Sequence, residues 1–335
     1  MLKMRRPTFR DIIEANGMLH GVVRQTPLEF SFPLSERTGS EIRIKWENLQ
    51  ICGSFKIRGA LNKMLRLSDQ ERARGVVTCS SGNHAQGVAM ASKMLGVKSV
   101  VFVQNHCSEY KKRAIRNLGG KWAELVLYGK IFEETEAAAK AYCEDKGMVY
   151  VSSYHDHLVM AGAGTIGLEI LMEQPDIEAV VVPTGSGGLI NGIAAAVKVI
   201  SPDVEVWGVQ SRASMPWVTS WDSGTVVDFD YQETLADGLS GYILQDMLDY
   251  AKTHVSGFVG VSEDEMISAL RSVFDWHHMV IEPSSAVAPA AVIGKAIPSI
   301  RSDKICVVIS GGNPDTDLYI CQRSEERRVG KECRS

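Results

Sequence analysis

Short runs of apolar, mostly β-branched residues alternate along the chain with longer stretches in which apolar residues recur at helical spacing. The short runs predict strands at 42–46, 76–79, 99–103, 125–127, 149–151, 179–182, 205–209 and 305–309. The longer stretches predict helices at 55–67, 85–95, 108–118, 132–145, 165–173, 189–200 and 284–295. Strands that alternate with helices are typical of parallel sheets covered by helices, so the predicted fold class is α/β.

Composition narrows the class of protein. A chain of 335 residues with 45% hydrophobic content is long enough for two domains. The net charge of -4 and the lack of a basic stripe argue against a nucleic-acid partner, and no apolar run is long enough to cross a membrane. The seven cysteines include no C-x-x-C pair, which predicts reduced thiols in a cytoplasmic protein. Residues 323–335 break with the preceding composition, and we expect a non-native tail there that carries no chemistry.

A glycine-rich loop follows the predicted strand at 179–182. Residues 180–189 read V-V-V-P-T-G-S-G-G-L, and a helix begins near Leu189. Glycines let several backbone N–H groups converge on one anion, and the helix N-terminus adds partial positive charge. No Walker lysine follows, so the loop predicts a site for a single phosphate. The alternative is an ordinary flexible turn.

A lysine stands at the start of a second predicted helix. Residues 52–60 read C-G-S-F-K-I-R-G-A, and Ser54 could cap a helix with Lys56 in its first turn. The field of a helix N-terminus lowers the pKa of an amine, which suits a lysine that reacts with carbonyl groups. Considered alone, the pattern is better explained by a solvated lysine that extends past Phe55.

Two further strand ends carry polar groups. Residues 80–89 read S-S-G-N-H-A-Q-G-V-A at the mouth of a helix, and residues 307–313 read V-V-I-S-G-G-N. Ser310 would place a neutral hydroxyl at the rim of the sheet. The G-x-G-x-x-G match at 162–167 lacks a clean preceding strand, so we interpret it as a helix start with small packing residues. An amine, a phosphate site and neutral polar partners together suit pyridoxal 5′-phosphate.

With these motifs the chain resembles the threonine dehydratase and serine racemase group of fold-type II pyridoxal-phosphate enzymes. The motifs fall in the family's order from about Thr8 to Leu318: S-F-K-I-R-G-A, S-S-G-N-H-A-Q-G-V-A, A-G-A-G-T-I-G-L-E-I, the glycine loop, L-A-D-G, I-E-P-S-S-A and V-I-S-G-G-N. The resemblance implies a two-domain, tryptophan synthase β-like fold. A large cofactor-binding domain would comprise residues 1–68 and 152–322, and a small domain would comprise residues 69–151.

The resemblance also implies roles for individual residues. Lys56 would bind pyridoxal 5′-phosphate covalently, and Ser81 would be a second catalytic residue. The implied cofactor-binding residues are Phe55, Lys56, Asn83, Gly185, Ser186, Gly187, Gly188, Leu189, Gly238, Glu282 and Ser310. The implied substrate-binding residues are Ser80, Ser81, Gly82, Asn83 and His84.

The activity implied by the resemblance is that of an ammonia-lyase, which converts L-threonine or L-serine to a 2-oxo acid and ammonia. A serine racemase, or a lyase for another β-hydroxy amino acid, is the alternative enzyme. A non-catalytic protein that binds an amino acid or the cofactor is the alternative from another class, although Lys56 and Ser310 are both present. A homodimer or homotetramer is expected.

Several residues depart from the family's pattern, and they concern the choice of substrate and the presence of a cation site. Ser186 stands where many relatives have glycine, which is tolerable if its φ is negative. The segment Tyr154–His157 and the run that begins at Ser284 also differ, and these changes leave the side-chain preference open. Gln210 stands where cation-activated racemases carry an acidic residue, and no convincing ligand set accompanies the histidines. The sequence therefore predicts no metal site.

Overall fold

Two parallel-rich sheets covered by helices form the framework of the protein. The computed structural model describes residues 5–297 and 303–315. One sheet contains β1 (Leu28–Phe30), β2 (Glu41–Trp46), β7 (Ala179–Pro183), β8 (Glu205–Ser211), β9 (Gly257–Val261) and β10 (Lys304–Ile309). Its order is β1-β2-β10-β7-β8-β9, and only the β1–β2 pair is antiparallel. The other sheet contains β3 (Val76–Cys79), β4 (Ser99–Val103), β5 (Ala123–Leu127) and β6 (Val149–Tyr150), in the parallel order β5-β4-β3-β6.

Helices pack on both faces of each sheet. The bounds are α1 (Phe9–Leu19), α2 (Phe32–Thr38), α3 (Lys56–Leu65), α4 (Asp69–Arg74), α5 (Asn83–Leu95), α6 (Glu109–Gly119), α7 (Phe132–Lys146), α8 (His157–Glu173), α9 (Gly188–Ile200), α10 (Pro216–Ser223), α11 (Gln245–Ala251), α12 (Glu263–His277) and α13 (Pro283–Ile293). The core on one face of the six-stranded sheet joins α1, α8, α9 and α11, and the core on the other face joins α2, α12 and α13. Smaller cores lie on the two faces of the four-stranded sheet, under α7 and under α5 and α6.

The predicted strands are all present, and two strands were not predicted. β1 is a three-residue edge strand, too short to give a periodic signal. β9 reads G-F-V-G-V, and glycine is depleted in strands. Gly257 is required there, because a Cβ atom at this position would lie 2.5 Å from the Trp207 ring. The Trp207 side chain on the neighbouring strand β8 fills the space beside Gly257, so packing requires a glycine there despite its low strand propensity.

The helix predicted from residue 165 is α8, and it begins much earlier, at His157. Asp156 is its N-cap and accepts hydrogen bonds from the N–H groups of Leu158 and Val159. The interpretation of the G-x-G-x-x-G match as a helix start was therefore wrong, although its glycines do serve packing. A Cβ atom on Gly162 would lie 2.5 Å from the Arg58 carbonyl oxygen, so α3 and α8 approach backbone to backbone.

Helix α12 is the longest element that the sequence prediction missed. A capping box begins it, with Ser262 accepting a hydrogen bond from the Glu265 N–H and the Glu265 carboxylate accepting one from the Ser262 N–H. This S-x-x-E signature was readable in the sequence.

The arrangement of the two sheets along the chain is simple. The four-stranded sheet is built from one stretch, residues 76–150, between the strands at 28–46 and 179–309 of the six-stranded sheet. The predicted boundaries at residues 68/69 and 151/152 stay a prediction, and residues 323–335 lie outside the described part. Within the described part, no helix is long and apolar enough to cross a membrane.

A buried network of four charged side chains joins β2, α3 and α8. Arg58 on α3 donates to both oxygens of Glu47, at 2.8 and 2.7 Å, and to both oxygens of Glu169 on α8, at 2.5 and 2.9 Å. Lys45 on β2 also pairs with Glu169, at 2.6 Å. The Arg58 charge and its hydrogen bonds lower the pKa of Glu47 despite complete burial. Two positive and two negative charges therefore neutralise one another inside the protein.

Replacing one member of this network should destabilise the fold strongly. In Arg58→Met, two buried glutamates share the single Lys45, and we expect the free energy of unfolding to fall by about 3–5 kcal/mol. Urea unfolding followed by circular dichroism measures the change. Arg10→Ala, which breaks an exposed pair with Glu14 on α1, is the matched control and should leave the unfolding curve unchanged. Equal curves for both variants would contradict the structural role of Arg58.

Candidate active site

Lys56 is the first residue of α3 and its amine is held by a neighbouring loop. Phe55 is the N-cap residue and makes no side-chain capping bond, so the predicted capping by Ser54 was wrong. Ser54 instead forms a β-bridge with Gly311. The Lys56 Nζ donates to the Ser153 carbonyl oxygen at 3.0 Å and lies 5.0 Å from the centroid of the Phe55 ring.

Burial gives this amine an unusual acidity. Desolvation lowers the pKa of Lys56 to about 8, and the nearby charge of Glu282 opposes that shift. An ordinary lysine, with a pKa near 10.4, is almost fully protonated at neutral pH. A lysine with a pKa of about 8 is neutral in an appreciable fraction of molecules, and the neutral amine is the form that attacks carbonyl groups and accepts protons.

The glycine-rich loop connects the end of β7 with the start of α9. Gly187 is the N-cap of α9, has a φ of 91°, and is packed so closely that a Cβ atom would lie 2.3 Å from the Trp217 ring. Ser186 lies outside the left-handed region, as the sequence required of it. Among the described residues, no hydrogen bond uses the backbone N–H groups of this loop, which therefore remain available to an anion: Gly185, Ser186, Gly187, Gly188 and Leu189.

One loop brings Lys56 and the glycine-rich loop together. The residue after Ser153 is Tyr154, whose Cα lies 3.2 Å from the position that a Cβ atom on Gly188 would occupy. The loop whose carbonyl holds the lysine amine therefore also contacts the start of α9. An amine and a set of free N–H donors at a helix N-terminus consequently lie near each other.

A second helix N-terminus is formed by the polar motif after β3. Gly82 is the N-cap of α5 and provides no side-chain capping bond, while its N–H donates to Ser80 Oγ at 3.2 Å. No described residue accepts a hydrogen bond from the N–H groups of Ser81, Asn83 or His84. The N-terminus of α5 can therefore bind a second anion, such as a carboxylate.

His84 is buried at this N-terminus as a neutral ring. Its Nε2 lies 3.1 Å from the Val151 carbonyl oxygen, which can only accept, so Nε2 carries the proton. Burial, with the charge of Lys56, lowers the pKa of His84 to about 3. The imidazole is therefore uncharged at neutral pH and does not compete with the lysine for an anion.

A contact between Asn83 and Glu282 joins the start of α5 to the start of α13. The Asn83 Nδ2 lies 2.8 Å from each Glu282 carboxylate oxygen, and the Asn83 Oδ1 accepts from Asn313 at 2.8 Å. Burial raises the pKa of Glu282 to about 7, although the hydrogen bond from Asn83 lowers it. A Cβ atom on Gly311 would lie 2.5 Å from Glu282, so the glycine after Ser310 makes room for this carboxylate.

Ser310 and Gly238 complete the group of predicted residues. Ser310 follows β10, is 5% exposed, and accepts a hydrogen bond at its carbonyl from the Phe55 N–H at 3.0 Å. Gly238 donates its N–H to Ser284 Oγ at 3.1 Å, and its carbonyl oxygen lies 3.4 Å from the Cβ position of Gly185. The structure thus connects every predicted site segment through direct contacts.

Two residues at the site were missed by sequence reasoning. The Ser153 carbonyl is a backbone group, so its residue type carries no signal. Ser285 contacts Ser310 and was seen only as part of an unusual run after Glu282. Within the described residues, no cluster of three or more His, Cys, Asp or Glu side chains is arranged to hold a metal ion.

The sequence profile of the pyridoxal-phosphate dependent enzymes matches residues 19–311. This chain belongs to that family. It is 42% identical over 312 residues to the L-threonine ammonia-lyase of Thermotoga maritima, with 93% of this chain and 77% of that protein covered.

Solved structures of family members show the same fold. Maize serine racemase superposes with a TM-score of 0.90 at 27% identity, over 98% of this chain and 99% of that one. The processed form of threonine deaminase isoform 2 from Solanum lycopersicum gives a TM-score of 0.86 at 33% identity, over 95% of each chain. The predicted family resemblance, fold class and cofactor are confirmed.

The residues present fit pyridoxal phosphate by their chemistry. The cofactor needs an amine for its aldehyde, N–H donors for its phosphate and polar partners for its ring. Lys56, the free N–H groups of residues 185–189, and the side chains of Asn83 and Ser310 are groups of these kinds. The assignment of each residue to its part of the cofactor remains our proposal.

The acidity of Lys56 gives a prediction about its neighbour Glu282. The negative charge of Glu282 stabilises the ammonium form, so Glu282→Gln should lower the pKa of Lys56 further. Pyridoxal phosphate trapped on Lys56 by borohydride, quantified by mass spectrometry across pH, should show a midpoint near 8 in the native chain and a lower one in the variant. Glu144→Gln on α7 is the control and should keep the native midpoint. A midpoint in Glu282→Gln at or above the native one would refute the electrostatic coupling.

Proposed function

We propose that this protein is a pyridoxal-phosphate dependent ammonia-lyase that converts L-threonine and L-serine to the corresponding 2-oxo acid and ammonia. The observation that carries the proposal is the Lys56 amine, with a pKa lowered to about 8, between a glycine-rich loop and a second open helix N-terminus. The similarity to an L-threonine ammonia-lyase over 93% of this chain supports the same activity.

Each of the two helix N-termini binds one anionic group, the cofactor phosphate at α9 and the substrate carboxylate at α5. The N–H groups of residues 185–189 hold the cofactor phosphate, and those at Ser81, Asn83 and His84 hold the substrate carboxylate. Each anion interacts with the positive end of a helix, where burial strengthens the attraction. An amino acid bound by its carboxylate at α5 is oriented with its amine and α-carbon towards Lys56.

Lys56 is the group that moves the proton. Bound pyridoxal phosphate supplies an aldehyde that condenses with amines and a conjugated ring that stabilises negative charge on the neighbouring carbon. The neutral amine of Lys56 accepts the proton from the substrate α-carbon as a general base. Loss of the β-hydroxyl as water, and hydrolysis of the resulting enamine, give the 2-oxo acid and ammonia.

Neutral groups around the ring favour elimination. Ser310 would offer the ring nitrogen of bound pyridoxal phosphate a neutral hydroxyl and no negative charge that would favour its protonation. His84 adds no charge, because its pKa is held at about 3. With such neutral partners, the bound cofactor would withdraw fewer electrons from the α-carbon, which would favour departure of a β-substituent.

Ser81 favours a second activity, amino-acid racemisation. Its hydroxyl has no hydrogen-bond partner among the described residues, and its backbone N–H belongs to the proposed carboxylate site. A free hydroxyl opposite Lys56 could exchange a proton with the other face of the α-carbon. The high structural similarity to maize serine racemase agrees with this side activity.

We also propose that the protein is cytoplasmic and forms a homodimer or homotetramer. All five described cysteines are buried and free, which suits a reducing compartment: Cys52, Cys79, Cys107, Cys143 and Cys306. Light scattering coupled to gel filtration measures the number of subunits.

The proposed lyase activity depends on Lys56. We expect release of ammonia and 2-oxo acid from L-threonine and L-serine in a panel of β-hydroxy amino acids, and loss of both products in Lys56→Ala because no base remains. The visible absorbance of lysine-bound cofactor should disappear in the same variant. Lys93→Ala, at an exposed position in the last turn of α5, controls for loss of a lysine. Cofactor absorbance without turnover of any amino acid would instead support a non-catalytic binding protein.

The proposed racemase side activity depends on Ser81. Ser81→Ala should abolish formation of D-serine from L-serine while elimination from L-serine stays within roughly tenfold, about 1.4 kcal/mol of activation free energy. Chiral chromatography beside an oxo-acid assay measures both. Racemisation that survives the substitution would exclude Ser81 as the second base, and a native enzyme that forms no D-serine would leave Ser81 as a carboxylate ligand only.

A further inference from the structure

The hydroxyl of Ser285 has three polar neighbours at the site and is completely buried. It lies in the first turn of α13, next to the end of β10. Its Oγ is 3.0 Å from Ser310 Oγ, 2.8 Å from the Gly311 carbonyl oxygen and 2.8 Å from the Gly311 nitrogen. A hydroxyl has one proton and two lone pairs, so these contacts use its full bonding capacity.

In a first arrangement, all three contacts of Ser285 Oγ are hydrogen bonds, and the proton on each group then fixes which group donates. The Gly311 carbonyl can only accept, so Ser285 donates its single proton there. The Gly311 N–H can only donate, so it occupies one lone pair of Ser285. The Ser310 hydroxyl must then donate to the remaining lone pair, and its proton points away from any other partner.

In a second arrangement, only the Ser310 proton lacks a partner among these groups. The Gly311 carbonyl also accepts a hydrogen bond from the Glu282 N–H at 3.1 Å, so it keeps a partner if the Ser285 proton rotates away. The Ser285 hydroxyl can then donate to Ser310, and the Ser310 proton becomes free to point elsewhere. Rotation of two hydroxyl protons interconverts the two arrangements.

We propose that Ser285 is a positioning residue that controls the direction of the Ser310 proton. This inference rests on the proposed function, in which Ser310 faces the ring nitrogen of the cofactor. In the first arrangement Ser310 can only accept a hydrogen bond, and in the second it donates to an unprotonated ring nitrogen. In the second arrangement Ser285 also donates to Ser310, which makes the Ser310 hydroxyl a stronger donor.

A double-mutant cycle with two readouts tests this role. Apo protein is titrated with pyridoxal phosphate by fluorescence, and cofactor labelled with ¹⁵N in the ring is examined by NMR in the bound state. In the native background, Ser285→Ala should weaken cofactor binding about fivefold and move the ring ¹⁵N resonance. In a Ser310→Ala background, the same substitution should leave the ring ¹⁵N resonance unchanged and weaken cofactor binding by much less than in the native background, because the hydroxyl through which Ser285 acts is absent.

The cycle separates positioning from a structural role. Ser285 also accepts from the Gly311 N–H, and loss of that bond would affect both backgrounds equally. Equal effects of Ser285→Ala in both backgrounds, or an unchanged ¹⁵N resonance in the native background, would overturn the inference. Ser272→Ala on the exposed face of α12 is the control for loss of a serine hydroxyl. Failure of the native protein to bind pyridoxal phosphate would instead refute the proposed function.

Discussion

The bidentate contacts of Arg58 with Glu47 and Glu169 fix the position of α3, and the rest of the site depends on that position. The network is buried, so each charge would be costly without its partners. It aligns α3 with α8 at the point where the two backbones touch through Gly59 and Gly162. Lys56 begins α3, and the loop that leads into α8 supplies the carbonyl that holds its amine. The donor thus begins one helix, the acceptor lies in the loop that precedes the other, and one ionic network holds the two helices together.

Electrostatic balance at the site follows from burial. Lys56, His84 and Glu282 are all desolvated, and in each case burial favours the neutral form. The charges of the lysine and the glutamate oppose each other's pKa shifts, whereas the histidine contacts no carboxylate among the described residues and stays neutral. The result is a site with little fixed charge of its own, in which two helix N-termini provide the positive potential. Such a site can bind two anionic ligands and still contain a basic amine.

The motifs at strand ends could be predicted because their glycines and small polar residues stand together in short runs of the sequence. The glycines at 187 and 311 are required by close contacts with Trp217 and Glu282, and both stood in recognisable runs. The start of α8 was misplaced because glycines at 162 and 164 weaken the helical pattern, while the packing that requires them is distant in sequence. The contacts of Asn83 with Glu282 and of Ser285 with Ser310 could not be predicted, since they join residues far apart in the chain. The fold class could therefore be predicted from the sequence, whereas the side-chain contacts between the motifs could not.

The strand order has a consequence for synthesis on the ribosome. The four-stranded sheet is made of one continuous stretch, residues 76–150, and all its pairing partners emerge together. In the six-stranded sheet, β2 pairs with β10, so residues 41–46 await residues 304–309 before the centre of the sheet can close. Such long-range pairing is slow and leaves strand edges exposed. Because Ser310 directly follows β10, a nascent chain that ends before residues 304–310 lacks both the central strand of this sheet and one residue of the proposed site.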